Sequence, residues 1–215
     1  MADEHYFSAD PSVPFQRAPV RATVWGRDLE LDSGSGVFAQ GRLDLGTGVL
    51  LRSCPPPVGV TSVLDLGCGY GVIGLAVAVA VPTAQVTAVD VNERALRLAR
   101  ENAEQLGVAD RYTACLPDEV DGSASYDEIW SNPPIRIGKA ALHELLLRWL
   151  PKLTPEGRAV LVVGKNLGAD SLAGWLAGRG FPTTRLASAK GFRVLESRRG
   201  DGTDPLDDEE PTPHR

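Results

Sequence analysis

"VLDLGCGYGVIG", Val63 to Gly74, is the stretch whose reading decides the fold. "SVLDL" just before the glycines reads as a buried strand, "GCGYG" as a glycine turn, and "VIGLAVAVAV" as an apolar helix that Pro82 ends. Gly69-Tyr70-Gly71-Val72-Ile73-Gly74 matches the G-x-G-x-x-G turn of nucleotide-binding sheets. Asp90 follows about 20 residues later, at the end of the next strand, "AQVTAVD". Glycines let a backbone approach its ligand closely, and a carboxylate at that strand end can accept from both ribose hydroxyls. The plain alternative is a tight strand–helix turn that binds nothing.

Downstream the pattern repeats. "NERALRLARENAEQLG" is an amphipathic helix with Asn92 as N-cap and Gly107 just past its end. "DRYTACL" and "SYDEIWSN" are strands, "KAALHELLLRWLPKL" a helix with Pro151 near its last turn, "GRAVLVVG" a strand and "ADSLAGWLAGRG" a helix. "TTRLASAKGFRVLESRR" can close the sheet as an antiparallel pair turning at Ala189-Lys190-Gly191. Strands alternating with helices mean an α/β fold with a mostly parallel sheet. Residues 1–60 break the alternation. "RATVWGRDLELDSG" suggests a hairpin around Gly26-Arg27, a short helix is expected near Thr47 to Arg52, and "CPPPVG" is a rigid linker. The expected organisation is an N-terminal hairpin extension and cap (1–60), an α/β domain (61–198) and a disordered acidic tail (199–215).

Composition sets the outer limits. The chain has 215 residues, 43% hydrophobic and 23% charged, as in an ordinary globular domain. No apolar run reaches the roughly 20 residues that span a bilayer, and the polar start is not a secretory signal. Cys54, Cys68 and Cys115 are widely spaced and suggest neither disulfides nor a metal site, so a reducing cytoplasm is expected. The net charge of −6 is misleading, because "DGTDPLDDEEPTPHR" at the C-terminus holds six acids and one base. The rest of the chain is near neutral. Its bases cluster at Arg136 and Lys139, at Lys190 and Arg193, and at Arg198 and Arg199, which also reads as scattered solvated charge.

Asp65 bears on the cofactor. A carboxylate two residues before the first glycine would repel a pyrophosphate, but it would offset the ammonium and sulfonium of S-adenosylmethionine. "DLGCGYG" (Asp65 to Gly71) resembles the first motif of the class I S-adenosylmethionine-dependent methyltransferases. That resemblance implies a Rossmann-like sheet of seven strands, mostly parallel with the last antiparallel. It implies a cofactor held by Asp65, Gly67, Cys68, Gly69 and Gly71, with Asp90 on the ribose and Val91 on the adenine. Cys115 or Leu116 falls where the family often has an acid for the adenine amine, so a backbone N–H there is the alternative.

"SNPPI" ends the fourth strand and resembles the Asn/Asp-Pro-Pro-aromatic motif of enzymes that methylate planar nitrogens. The Asn132 side-chain oxygen and the Pro133 carbonyl can accept the two N–H bonds of a conjugated amine and align it with the methyl donor. Pro134 stiffens the elbow. Ile135 stands where the family has an aromatic, so stacking must come from elsewhere, and Phe38 is the candidate, ordinary core packing being its alternative. His143, Trp149 and Trp175 read as core or surface fillers. "HYFSADPS", "GVFAQGRLDLGTGVLL" and "KGFRVLESRR" are similar to the small-domain methyltransferase family, which includes the RsmC-type 16S ribosomal RNA guanine-N2 methyltransferases. Residues Asp44, Gly46 and Thr47 would then lie near the methionine end of the cofactor, and Arg136 and Lys139 on the RNA. The function expected is N-methylation of an RNA exocyclic amine, guanine N2 of ribosomal RNA, with no metal and no membrane. The alternatives are another planar nitrogen (adenine amine, protein glutamine amide, small molecule) or a binding protein without turnover. Oligomeric state is not readable.

Overall fold

In the computed structural model, residues 13–134 and 137–200 are described. The N-terminal hairpin is β1 (Arg17–Val24) and β2 (Arg27–Gly34), turning at Trp25-Gly26, both left-handed, one residue earlier than the sequence suggests. Helix α1 (Leu45–Ser53) follows. The alternating part runs β3 (Ser62–Leu66), α2 (Val72–Ala80), β4 (Gln85–Val89), α3 (Glu93–Gln105), β5 (Tyr112–Cys115), β6 (Tyr126–Ser131), α4 (Lys139–Trp149), β7 (Leu153–Gly164), α5 (Ala169–Ala177), β8 (Thr183–Ala189) and β9 (Phe192–Arg198). The Asn92 side chain caps α3 by accepting from the N–H groups of Arg94 and Ala95.

The seven-stranded sheet has the order β5-β4-β3-β6-β7-β9-β8. β9 runs antiparallel to both neighbours, and the other pairings are parallel. The order follows from two right-handed crossover series leaving β3 in opposite directions, which opens a crevice between β3 and β6 at their carboxyl ends. Leu66 pairs with Ser131, so Gly67 and Asn132 leave the sheet side by side.

The two-residue pleat sorts side chains to two cores. Val63 joins α1, α2, α3 and the hairpin on one face, while Leu64 and Leu66 join α4 and α5 on the other. Leu50, Leu75 and Leu98 are fully buried, each stabilising the fold by about 1.5–3 kcal/mol. The hairpin is fastened to α3 by the Asp32 N–H to Asn102 Oδ1 (2.7 Å) and by Arg17 bridging Asp32 and Glu101. Trp130, edge-on to Trp25, donates to Glu128, which Arg158 holds along with Glu196. Among the described residues no helix is long and apolar enough to cross a membrane. The expected acidic tail, Ile135 and Arg136 lie outside the described residues, apart from Arg199 and Gly200.

Candidate active site

A cavity of about 380 Å³ opens in the crevice between β3 and β6. Its floor is Gly67, Gly69, Asp90 and Val91, and Asn132, Pro133 and Pro134 form one side. Phe38, Leu167 and Phe192 also line it, as do Pro117, Leu145 and Trp149. The segment after the hairpin forms a wall. It is held by Asn92 Nδ2 to the Gly36 carbonyl (2.8 Å) and by the Tyr70 hydroxyl to the Arg42 carbonyl (2.8 Å). The hairpin strands themselves pack on α2 and α3, and among the described residues of the extension only this following segment, with Val37, Phe38 and Asp44, reaches the cavity.

The glycines differ in purpose. Gly67 and Gly69 have φ of 72° and 55°, and a Cβ on Gly69 would meet nothing within 4 Å. That side faces open space. Gly71, at φ 95°, faces inward, where a Cβ would lie 2.7 Å from the Tyr112 hydroxyl and 2.9 Å from Leu75. Gly71 therefore serves the packing of α2, not the cavity wall. Gly74 likewise gives way to Asp65 and Tyr112.

Alternation places Asp65 on the α2 side of β3, fully buried. Its Oδ2 accepts from the Gly74 N–H at 2.8 Å, and its Oδ1 has no partner. Burial pushes its carboxyl up to about 7, aided by the charge of Asp90 and opposed by the Gly74 N–H. Asp90 lines the cavity, accepting from the N–H groups of Gly69 and Asn92 at 2.9 Å each. Burial raises its carboxyl too, with these N–H groups and that of Val91 pulling it down. The Cys68 thiol is pushed well up by burial and by Asp90 and Asp65, so it stays protonated, and Cys68 is not in the cavity lining.

Asn132 is the best-defined side chain of the site. Its Nδ2 donates to Asp44 Oδ2 (2.8 Å) and to Thr47 Oγ1 (3.0 Å). A carboxylate can only accept, so the amide nitrogen must face Asp44. Both N–H bonds are then used, and Oδ1 is the atom left for a ligand. Among the described residues nothing donates to it. Asp44 also caps α1 by accepting from the Thr47 N–H at 2.9 Å. Thr47 is buried behind Asn132 and does not line the cavity.

Other expected residues lie elsewhere. Cys115 at the end of β5 and Leu116 just past it are not in the lining, and Pro117 reaches the cavity instead, its carbonyl held by Arg148 at 2.8 Å. Lys139 starts α4 outside the lining. Phe38 lines the mouth, 45% exposed, so core packing does not account for it. Phe192 was not singled out from the sequence, because only the return of β9 beside β7 brings its ring there. Its one sequence signal was its place in "KGFRVL", directly after the final turn. Trp149 is buried and also lines the cavity, and His143 stacks on Trp175 with centroids 3.5 Å apart.

The donor set fits a cationic nucleoside cofactor better than a dinucleotide. A pyrophosphate needs the free N–H groups of the helix N-terminus, and Asp65 already takes that of Gly74. An unpartnered carboxylate oxygen below the glycine loop suits a positive charge above it, and Asp90 suits a ribose. Among the described residues no three His, Cys, Asp or Glu side chains gather as a metal site.

Residues 28–196 match the methyltransferase small domain family. The Bacillus subtilis uncharacterized protein YbxB is 33% identical over 198 residues, covering 91% of this chain and 98% of that protein. Ribosomal RNA small subunit methyltransferase C of Chromohalobacter salexigens is 37% identical over 177 residues, covering 79% of this chain and 51% of that one. Among solved structures, a T. thermophilus 16S rRNA N2 methyltransferase in complex with AdoMet and guanosine superposes with a TM-score of 0.69 at 23% identity, over 88% of this chain and 52% of that chain. The chain thus spans nearly all of YbxB but about half of these ribosomal RNA methyltransferases.

Proposed function

Because the chain belongs to the methyltransferase small domain family, we propose that it is an S-adenosylmethionine-dependent N-methyltransferase acting on an exocyclic amine of RNA, guanine N2 of ribosomal RNA. The observation that carries this reading is the orientation of Asn132. Asp44 and Thr47 consume both of its N–H bonds and leave its Oδ1 toward the cavity. An amide oxygen presented there orients an N–H donor, as a planar amine requires.

The cofactor, when bound, supplies an electrophilic methyl group on a sulfonium sulfur. Asp90 would hold its ribose, Gly67 and Gly69 would leave room for it at the loop, and the buried Asp65 carboxylate would offset its positive charge. Asn132 Oδ1 and the Pro133 carbonyl accept the two N–H bonds of the target amine and turn its lone pair toward the methyl. As the nitrogen gains positive charge, both acceptors strengthen, and the Asp44 carboxylate behind Asn132 reinforces them. The nitrogen then sheds its proton to solvent, so no strong base is needed.

Phe38 and Phe192 at the mouth favour a flat ring over a flexible amide side chain. Ring stacking comes from these residues where the family has its aromatic after Asn-Pro-Pro. A ribosomal RNA substrate places the work in the cytoplasm. The test is mass spectrometry of digested ribosomal RNA from a deletion strain, with in vitro restoration by the purified chain. Loss and restoration of one N2-methylguanosine is the expected result. Unchanged RNA, with methyl transfer to adenine or to protein amides instead, would replace guanine by that target.

A further inference from the structure

We propose that the tip of the β8–β9 hairpin, together with Lys165, is the surface that grips the phosphodiester strand flanking the target base. The proposal rests on the RNA reading above. A shallow groove here is lined by Lys165, Arg185, Lys190, Gly191, Phe192 and Arg193, among others. Phe192 also lines the cavity that holds Asn132, so groove and cavity meet at one ring. A Cβ on Gly46 would lie 2.9 Å from that ring and 3.0 Å from Asp44 Oδ2, the atom that orients Asn132. A base at Asn132 would therefore lie in a cavity that shares Phe192 with the groove.

The charges suit such a strand. Arg193 is paired with Asp170. Lys165, Arg185 and Lys190 are exposed, and among the described residues none of them meets a carboxylate. No acid lines the groove, although the whole chain carries −6. Cations on an edge strand also discourage sheet-to-sheet pairing, which alone would explain Arg185 and Lys190. That reason does not reach Lys165, which follows β7 and is tied to the tip by its N–H to the Gly191 carbonyl at 2.8 Å.

Lys190 adds a second observation. It and Gly191 form the hairpin turn with φ of 50° and 80°. Two left-handed residues in a two-residue turn are normally Asn-Gly, Asp-Gly or Gly-Gly, and a long side chain is strained there. The turn thus carries an exposed lysine two residues from Phe192, where glycine or asparagine would fit without strain. An acidic protein segment is the other polyanion such a groove could take. Continuity with a cavity built for a flat ring favours RNA.

The test uses the full chain and a fluorescein-labelled single-stranded RNA carrying guanosines. Combined Lys165→Gln, Arg185→Gln and Lys190→Asn should raise the RNA Kd at least tenfold and flatten the slope of log K against log salt by about two. S-adenosylmethionine affinity should be unchanged, and methylation should show a raised KM at near-constant kcat. Lys190→Asn alone relieves the turn, so it should raise Tm by about 2–4 °C while weakening RNA binding, which excludes misfolding as the cause. Wild-type Kd and salt slope in the triple variant would overturn the surface assignment and leave the enzyme reading standing. Absence of RNA binding by the wild type would remove the RNA reading itself. Tighter binding of a polyglutamate peptide than of RNA, lost in the triple variant, would reassign the groove to an acidic protein.

Discussion

Asn132 donates an amide hydrogen to Asp44 Oδ2 at 2.8 Å, and that one contact orients the end of β6 from the start of α1. The same carboxylate oxygen caps α1 through the Thr47 N–H. Local helix capping and presentation of the amide oxygen are therefore one device.

In the proposed reaction, replacing Asn132 with Ala would remove an acceptor used mainly as charge develops on the amine. We expect kcat to fall about 100-fold or more, with cofactor Kd changed less than about threefold. Single-turnover methyl transfer and calorimetry read the two separately. A comparable loss in both would mean that Asn132 serves cofactor binding.

Asp44 can be dissected by its two jobs. Asp44→Ser keeps a good N-cap but is too short to hold Asn132, so Tm should stay within a few degrees while kcat falls about tenfold. Asp44→Asn can still accept from both partners and should recover much of the rate. Equal kcat in the Ser and wild-type proteins would show that the amide needs no anchor.

The glycine turn offers a contrast. Gly71→Ala drives a Cβ to 2.7 Å from the Tyr112 hydroxyl at φ 95°, so it should cost about 2–4 kcal/mol of stability. Gly69→Ala points into open space and should cost only about 1–2 kcal/mol, from its left-handed φ, yet obstruct the cofactor. Denaturant melts paired with cofactor titrations distinguish the two.

Asp65 gives a pH signature. Its folded carboxyl sits near 7, above the ordinary carboxylate value, because it is buried. Between about pH 4 and 7 the folded state therefore holds a proton that the unfolded chain has lost. Stability of the cofactor-free protein should fall as pH rises through that window, and be lowest above it. Asp65→Asn should abolish that slope and raise Tm at pH 7.5. Cofactor binding at pH 6 should release up to one proton, measurable by calorimetry in buffers of different ionisation enthalpy. A flat Tm profile for the wild type would contradict this.

Much of the fold could be read along the chain, because its signals are local. The pleat of "SVLDL", the left-handed turn of "GCGYG" and the Asn92 cap each involve residues only a few positions apart. The same holds for the order of elements. The turn of the first hairpin fell one residue from its expected place, since Trp25 adopts a left-handed φ that its residue type does not advertise. In the site, Asp90 and Asn132 stand where strand-end arguments put them. Cys115, Leu116 and Lys139 are not in the cavity lining, because the loop after β5 meets it at Pro117 and α4 meets it at Leu145, Arg148 and Trp149.

The sequence by itself determined that this is a glycine-turn α/β sheet with an Asn-Pro-Pro elbow after its fourth strand. Those features depend on neighbours in the chain and on the two- and 3.6-residue periods. Only the tertiary structure decided which way the Asn132 amide faces, that Gly71 packs while Gly69 faces open space, and that Phe192 completes the mouth. Each depends on atoms about 40 to 150 residues apart, and no local pattern encodes which distant carboxylate, hydroxyl or ring the fold will bring alongside.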